Sequence, residues 1–306
     1  METVLTQKNY AAWALSLHCN YTCNYCFLEQ DKSVLSKFVL KLNKLFGYHS
    51  SEKRVAVESV LSLLGKTRKT WTVALTGGEP ILFPNFLDIC KKITEHYPLI
   101  VFTNLSIPKR VESFCKTIDP KKVELFVVSL HIKEREQRNA IDQVVQSIQL
   151  LKTNLFPVQV YYVLHPTLLN RYGLDVEIFK KKGITLLPKP FVGVYKNKRY
   201  PDSYTADIKR MIKETSIMLA DFTPLNLKHI PCTAGKNFIV ISPSGDILRC
   251  FGDFSILGSV SKGVHLQDSA KPCNVAQCPC YGVKFIEGGG SMNIVQEQLR
   301  NLWGVP

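Results

Sequence analysis

Three cysteines early in the sequence are spaced closely enough to bind one metal centre together. Cys19, Cys23 and Cys26 form the pattern C-x3-C-x2-C directly after an apolar run. A 4Fe-4S cluster normally takes four cysteine ligands, so a triplet without an obvious fourth would leave one iron open to a small molecule. Spacing alone leaves two alternatives open: a zinc site completed by His18 or a distant residue, or three unrelated buried thiols.

Five more cysteines lie in the last quarter of the sequence. The first two belong to the pattern Cys232-x12-Gly245-x4-Cys250, in which Gly245 lies in the turn of a predicted β-hairpin. The hairpin returns Cys250 toward the end where Cys232 enters. The alternative is a hairpin held together by zinc. The remaining three cysteines follow the hairpin and are Cys273, Cys278 and Cys280.

Short apolar runs alternate with amphipathic stretches from residue 10 to about residue 195, a pattern typical of βα units around a parallel sheet. Right-handed crossovers curl such a sheet, so we predict an α/β fold with a partial (β/α)6 TIM-like barrel. Cys90 and Cys115 lie on helical patterns among apolar neighbours and are predicted to be core residues. The predicted strands are 11–17, 72–76, 99–103, 123–130, 158–164 and 184–187, and the predicted helices include 55–64, 86–96 and 140–152.

The character of the sequence changes after Tyr200. A linker at 201–204 and a helix over 206–219 precede a small region that contains the β-hairpin, with strands at 237–242 and 247–251. Three glycines at 288–290 predict a flexible joint before a short C-terminal helix. The predicted domains are 1–200 for the barrel, 201–223 for linker and helix, 224–290 for the small cysteine-containing domain and 291–306 for the tail helix.

The composition is that of an ordinary globular protein, with 45% hydrophobic and 21% charged residues. No run approaches the ~20 apolar residues that a bilayer span needs, and 11–17 is about half the length of a signal-peptide core, so a cytoplasmic protein with reduced thiols is expected. The 39 basic and 25 acidic residues give a net charge of +14. The segment 179–200 has seven basic and no acidic residues. Such a balance favours an anionic partner.

The motifs and their order resemble those of the radical S-adenosylmethionine (SAM) superfamily. Tyr25 is the aromatic residue that this family places before the third cysteine. The second predicted strand is followed by Thr76-Gly77-Gly78-Glu79-Pro80, which matches the family's Gly-Gly-Glu motif. The third predicted strand ends in Thr103-Asn104 and the fourth in Ser129-Leu130-His131, as is common in this superfamily.

The resemblance implies that the cysteine triplet holds a 4Fe-4S cluster whose open iron chelates the amino and carboxylate groups of SAM. One-electron reduction would cleave SAM to methionine and a 5′-deoxyadenosyl radical, which abstracts a substrate hydrogen. The Gly-Gly-Glu motif would hold the methionine end, and the aromatic residue would lie by the adenine. The strand-end serine or histidine would lie near the ribose, although the histidine could instead satisfy a local backbone group. The predicted SAM contacts are Tyr25, Gly77, Gly78, Glu79, Asn104, Ser129 and His131.

The C-terminal cysteine pattern resembles the opening of the twitch and SPASM domains, which carry auxiliary iron-sulfur clusters in some radical SAM enzymes. A SPASM domain needs about seven cysteines for two clusters, so five cysteines fit a twitch module with one auxiliary 4Fe-4S cluster better. Four ligands from five candidates leave one spare thiol, for which Cys273 is the first candidate. The candidate ligands are Cys232, Cys250, Cys273, Cys278 and Cys280.

The resemblance therefore implies an oxidation or epimerisation of a polar, anionic small molecule such as a sugar or nucleotide derivative, with a flavodoxin or ferredoxin as electron donor. The basic residues from Lys189 to Arg199, which begin at the end of the sixth predicted strand, would face the mouth of the active site. The alternative is a maturase of ribosomally made peptides, although we expect no peptide-recognition domain before Cys19. A third hypothesis is a metal-stapled nucleic-acid-binding protein, which the net charge motivates but no recognised nucleic-acid motif supports.

Overall fold

The described residues place six consecutive parallel strands side by side in the order of the sequence. The computed structural model describes residues 8–26, 55–215, 223–276, 278, 285–286 and 289–303. Because the six strands are parallel, all six carboxyl ends lie at one edge of the sheet, as the predicted partial barrel requires. Each pair of neighbours is joined by a crossover connection. The strands are β1 (Asn9–Ser16), β2 (Trp71–Gly77), β3 (Leu99–Thr103), β4 (Val123–Ser129), β5 (Val158–Leu164) and β6 (Leu186–Pro190).

Amphipathic helices occupy the crossover connections. In α2, Phe86, Ile89 and Ile93 recur at three- and four-residue spacing, and all three side chains are buried. None of the helices in the described segments is long and apolar enough to span a bilayer. The crossover helices are α1 (Val57–Lys66), α2 (Phe86–His96), α3 (Pro108–Thr117), α4 (Ile132–Gln137), α5 (Ile141–Thr153) and α6 (Tyr172–Lys181).

The predicted C-terminal hairpin is confirmed, and it extends the same sheet. Strand β10 (Phe238–Ile241) pairs in parallel with β1, and β11 (Asp246–Leu248) pairs antiparallel with β10. The sheet is therefore continuous across the predicted boundary between the barrel and the small domain, and the domain limits themselves stay a prediction. The other strands are β7 (Gly193–Tyr195), β8 (Lys198–Tyr200), β9 (Pro231–Cys232), β12 (Ile256–Ser259), β13 (Gly263–Val264) and β14 (Lys271–Pro272).

The core consists of two clusters that meet at β1. Ala11 and Trp13 face the larger cluster between the sheet and its helices, whereas Ala12 faces a second cluster formed with the C-terminal region. Burial on both faces explains the continuous apolar character of this strand. Cys90 is fully buried in the larger cluster and Cys115 packs against it, as predicted.

The sixth strand begins later than predicted. Gly183, with a φ of +72°, follows the end of α6, and the Ile184 N–H donates to the Phe179 carbonyl at 2.9 Å. Ile184 therefore still closes the helix and cannot start a strand at 184. The observed β6 includes Pro188 and Pro190, which a sheet accepts because β6 is its edge strand among the described residues.

The C-terminal helices also correct the prediction. Helix α7 (Ala206–Thr215) begins as predicted, and the remainder of that prediction, 216–219, lies outside the described residues. Helix α8 (Gly289–Trp303) includes Gly289 and Gly290, so these two residues are helical and not a flexible joint, and Gly288 lies outside the described residues. Val295 and Trp303 of α8 are 1% and 4% exposed, and this burial outweighs a glycine cost of about 1 kcal/mol per residue.

Candidate cluster and cofactor site

The predicted SAM-site residues lie at the carboxyl ends of four adjacent strands. Tyr25 follows β1, the Gly-Gly-Glu segment begins at the last residue of β2, and Asn104 follows β3. Ser129 is the last residue of β4, where it pairs with Tyr161 of β5, and His131 comes two residues later. The parallel sheet therefore brings all of these positions to one edge.

The Gly-Gly-Glu segment supports the loop that carries the three cysteines. The Gly78 N–H donates to the Ser16 carbonyl at 2.8 Å, and the Glu79 N–H donates to the His18 carbonyl at 2.9 Å. A Cβ on Gly77 would lie 2.1 Å from the Ser16 oxygen, and one on Gly78 would lie 2.2 Å from the His18 oxygen. The close approach of two strand ends thus requires both glycines, independently of their predicted contact with SAM.

The carboxylate of Glu79 is buried among donors from its own chain. Its Oε1 accepts from the Thr103 hydroxyl at 2.7 Å and from the Ile81 N–H at 3.0 Å, and its Oε2 accepts from the Asn104 N–H at 2.6 Å. Burial raises the pKa of Glu79 to about 7, while these donors act in the opposite direction. A carboxylate has about four acceptor positions, so one position remains beyond these three.

Asn104 connects Glu79 with the cysteine loop. Its backbone N–H donates to Glu79, and its side-chain Nδ2 lies 3.3 Å from the Asn20 Oδ1 and 3.9 Å from the Cys19 Sγ. The Asn104 Oδ1 in turn accepts from the Ser106 N–H at 2.9 Å. The end of β3 therefore fixes the first cysteine of the triplet through a buried amide.

The three thiols of the triplet lie together. Cys23 is buried, Cys19 and Cys26 are partly buried, and Cys23 interacts electrostatically with both of the others. Burial raises the pKa of Cys19, and it raises the pKa of Cys23 to about 12. Both thiols are therefore protonated without a metal, and metal binding must displace their protons. His18 is exposed, and no three His, Cys, Asp or Glu side chains in the described segments are close enough to hold a single ion.

His131 brings the end of β4 onto the cysteine loop. Its Nδ1 lies 3.3 Å from the Cys23 Sγ and 3.1 Å from the Tyr25 hydroxyl, and the Tyr25 and His131 rings stack at a centroid distance of 5.7 Å. Burial is the main cause that lowers the pKa of His131 to about 3, and the charges of Arg135 and Lys189 act in the same direction. His131 is therefore neutral at physiological pH.

Two arginines that the sequence analysis missed enclose Tyr21, which lies inside the triplet. The guanidinium carbons of Arg135 and Arg138 are 5.2 Å and 4.8 Å from the Tyr21 ring centroid, and the Arg138 Nη2 donates to the Asn20 carbonyl at 3.1 Å. Arg135 is 1% exposed, and its Nη2 has no partner among the described residues. Arg135 and Arg138 follow the strand-end histidine by four and seven residues. The spacing of three residues between them is the sequence signal for a shared helix face.

The radical SAM part of the sequence carries the decisive similarity. The model of the radical SAM superfamily matches residues 13–189, more than half of the chain. The chain belongs to the radical SAM superfamily. Members of this superfamily are enzymes, and membership implies a 4Fe-4S cluster and SAM. This favours the enzyme over the nucleic-acid-binding hypothesis.

Solved structures with a similar fold agree with this assignment. The structure of anSMEcpe with bound AdoMet superposes with a TM-score of 0.55 at 16% identity, over 82% of this chain and 75% of that one. The structure of Streptococcus suis SuiB bound to S-adenosylmethionine gives a TM-score of 0.52 at 16% identity, over 79% of this chain and 60% of SuiB. At these identities the similarity concerns the fold alone.

Beyond the part that the radical SAM model matches, four C-terminal cysteines gather in the second core cluster. Cys232 and Cys273 are buried, and Cys250 and Cys278 pack against the cluster. Electrostatic interactions link Cys232 with Cys273, and Cys250 with both Cys278 and Cys232. Burial is the main cause that raises the pKa of Cys250 to about 12. Cys280 lies outside the described residues.

The basic segment 179–200 divides between two edges of the radical SAM sheet. Helix α6 returns the chain to the amino ends of the strands, so residues 180–182 lie away from the mouth. Lys189, on β6, is near enough to influence the site histidine. In the following hairpin, the Tyr195 ring lies 4.9 Å from that of His165 at the end of β5, and the Lys196 Nζ is 5.7 Å from the Tyr195 ring.

Proposed function

We propose that the cysteine triplet holds a 4Fe-4S cluster with one iron open for SAM. When bound, the reduced cluster and SAM supply a radical that removes a hydrogen atom from the substrate. The observation that carries this proposal is the contact network in which Asn104 joins Glu79 to Cys19, while His131 lies against Cys23. The network lies at the carboxyl edge of the sheet, where barrels of this kind bind ligands.

The chain's own residues would bind and orient SAM at this edge. The remaining acceptor position of Glu79 suits the ammonium of the methionine end, and Gly77 and Gly78 keep the motif close to the cysteine loop. Tyr25 would lie by the adenine, and Ser129 would lie near the ribose. Neutral His131 would share one hydrogen bond with the Tyr25 hydroxyl and would add no charge beside the cluster.

We further propose that the C-terminal region holds one auxiliary 4Fe-4S cluster, as a twitch-like module would. Four thiols, the number that a cubic cluster needs, belong to the second hydrophobic core or pack against it. They are those of Cys232, Cys250, Cys273 and Cys278. This choice includes Cys273, which the sequence analysis named first as the spare thiol, because Cys273 is buried in the same core as Cys232 and interacts with it.

For the substrate we propose a polar, anionic small molecule that is oxidised or epimerised. The support is the position of Lys189 on β6, together with the basic β7–β8 hairpin that packs on His165 through Tyr195. A cation beside a buried active-site edge attracts a phosphate or carboxylate more strongly than it would in water.

A peptide substrate is the second candidate. The support is that SuiB, at a TM-score of 0.52, was also solved bound to the precursor peptide SuiA, and that anSMEcpe was solved with AdoMet and a peptide. A peptide with acidic residues would meet the same basic hairpin.

Deuterium transfer distinguishes the two substrate classes. Reduced protein is incubated with SAM and one of two sets of deuterated substrates. The first set contains phosphorylated and nucleotide-linked sugars, and the second contains acidic peptides. The mass of the 5′-deoxyadenosine is then measured. Lys189→Gln should raise the KM for an anionic substrate about tenfold, the loss of about 1.4 kcal/mol of binding. Lys181→Gln, at the opposite edge, is the matched control and should leave the KM unchanged. Deuterium from peptides alone would support the second candidate.

A further inference from the structure

Arg249 is a buried cation directly before Cys250 in the sequence. Its side chain is 4% exposed, and its Nη1 donates to the Asp253 Oδ2 at 2.8 Å. The Asp253 side chain is itself 8% exposed, and its Oδ1 accepts from the backbone N–H and the hydroxyl of Ser255. The Asp253 backbone N–H donates to the Cys250 Sγ at 3.1 Å. The ion pair is therefore connected directly to one thiol of the proposed auxiliary site.

The other donors of the guanidinium reach the segments that carry two further thiols. Nε donates to the Ala234 carbonyl at 3.1 Å, and Nη2 lies 3.5 Å from the Cys232 carbonyl. Nη2 also donates to the Lys271 carbonyl at 2.9 Å, and Nη1 to the Pro272 carbonyl at 3.2 Å, directly before Cys273. One side chain thus bonds to three separate parts of the chain, each next to a cysteine.

These segments have little regular structure of their own. Strands β9 and β14 contain two residues each, and Cys273 and Cys278 pair through isolated bridges with Lys228 and Leu225. Buried carbonyls need donors, and a two-residue ladder supplies few of them. The guanidinium provides the donors that a longer sheet would otherwise provide.

We infer that Arg249, oriented by Asp253, is the positioning residue that holds the auxiliary thiols in place before the cluster binds. The inference rests on the proposed auxiliary cluster. Only arginine offers five N–H donors in a rigid plane, whereas the ammonium of lysine keeps the charge but cannot reach three segments at once. The role depends on the shape of the guanidinium more than on its charge.

Arg249→Lys tests this role because it retains the positive charge and removes the planar guanidinium with its five donors. Wild type and variant are reconstituted anaerobically, and iron per chain and the electron paramagnetic resonance spectrum of the reduced protein are measured with and without SAM. Wild type should contain about eight irons, four per cube. The variant should contain about four, with the SAM-responsive signal intact and the SAM-insensitive signal lost. Arg171→Lys, in the connection between β5 and α6, is the matched control and should keep eight.

The triplet cluster serves as an internal reporter of folding. Loss of the SAM-responsive signal as well would show that Arg249 supports the whole fold and would overturn the specific role. Eight irons in Arg249→Lys, with unchanged spectra, would overturn the role while leaving the auxiliary cluster standing. Four irons in the wild type would overturn the auxiliary cluster and the inference with it. Asp253→Asn, which keeps the shape but removes the charge, should lose part of the SAM-insensitive signal.

Discussion

The carboxylate of Glu79 binds three donors of its own chain, and these donors belong to the ends of β2 and β3. Removal of the carboxylate would leave the Thr103 hydroxyl and the Ile81 and Asn104 N–H groups buried without this acceptor. Each unpaired group costs roughly 1–3 kcal/mol. Glu79 therefore supports the site as well as offering an acceptor to SAM.

We expect Glu79→Ala to weaken both folding and SAM binding. The free energy of unfolding should fall by about 3 kcal/mol or more, measured by urea denaturation without SAM, because three donors lose their acceptor. SAM binding by the iron-replete protein should weaken by roughly 1.5–3 kcal/mol, the scale of a charge-assisted hydrogen bond. Glu112→Ala, on the exposed face of α3, should change neither quantity. Unchanged stability of Glu79→Ala would show that the carboxylate serves the ligand alone.

At this scale the sequence predicts the groups that lie close together along the chain. The cysteine triplet and the Gly-Gly-Glu segment are local patterns and are visible in the sequence, although their chemistry followed from the resemblance to a family and not from spacing alone. The contact between Cys23 and His131 joins residues 108 positions apart, and its geometry depends on the order of the strands. Arg249 pairs with Asp253 only four residues later, but its other partners are backbone carbonyls 15 to 23 residues away, and no local pattern identifies them.

At the scale of elements, the ends of β1 and β2 define the geometry of the triplet. The two strands remain paired up to Ser16 and Gly77, and the hydrogen bonds continue beyond them from Gly78 and Glu79. The cysteine loop thus leaves β1 in a direction that β2 determines. A displacement of the second strand end would move the first cysteine.

Gly78→Ala should displace the cysteine loop. The added Cβ would lie 2.2 Å from the His18 oxygen and 2.6 Å from the Leu17 oxygen, and backbone atoms cannot yield as a flexible side chain can. We expect loss of the SAM-responsive cluster and about four irons retained in the auxiliary site. Gly173→Ala is the matched control, because nothing lies within 4 Å of its Cβ and a helical alanine is favoured by about 1 kcal/mol. A Gly78→Ala protein with full iron and normal SAM binding would show that the cysteine loop does not need a glycine at this strand end.

Elements with strong local patterns agree with the prediction, and the exceptions have identifiable causes. Strands β3 and β5 and helix α2 have the predicted limits. The start of β6 depends on the helix end at Gly183, and its later part contains prolines that ordinarily argue against a strand. Tertiary pairing at the sheet edge decides such a case, and no local pattern contains that information.

At the scale of the whole molecule, one sheet joins the two cysteine-bearing regions. Tyr10 of β1 pairs with Phe238 of β10, and its ring also contacts Phe285 at 6.3 Å. Composition alone suggested a separate small domain because the pairing of residues 10 and 238 leaves no trace in either local sequence. The hairpin of the proposed auxiliary site therefore pairs with the strand that leads to Cys19, and the two clusters would lie on one continuous sheet.

The most direct test of the radical SAM account compares the wild type with a variant in which Cys19, Cys23 and Cys26 are all replaced by alanine. Both proteins are reconstituted with iron and sulfide, reduced, and incubated with SAM, and iron and 5′-deoxyadenosine are measured. The wild type should bind about eight irons and release 5′-deoxyadenosine, whereas the variant should bind about four and release none. Stoichiometric zinc without iron in the wild type, or SAM cleavage by the triple variant, would contradict the account.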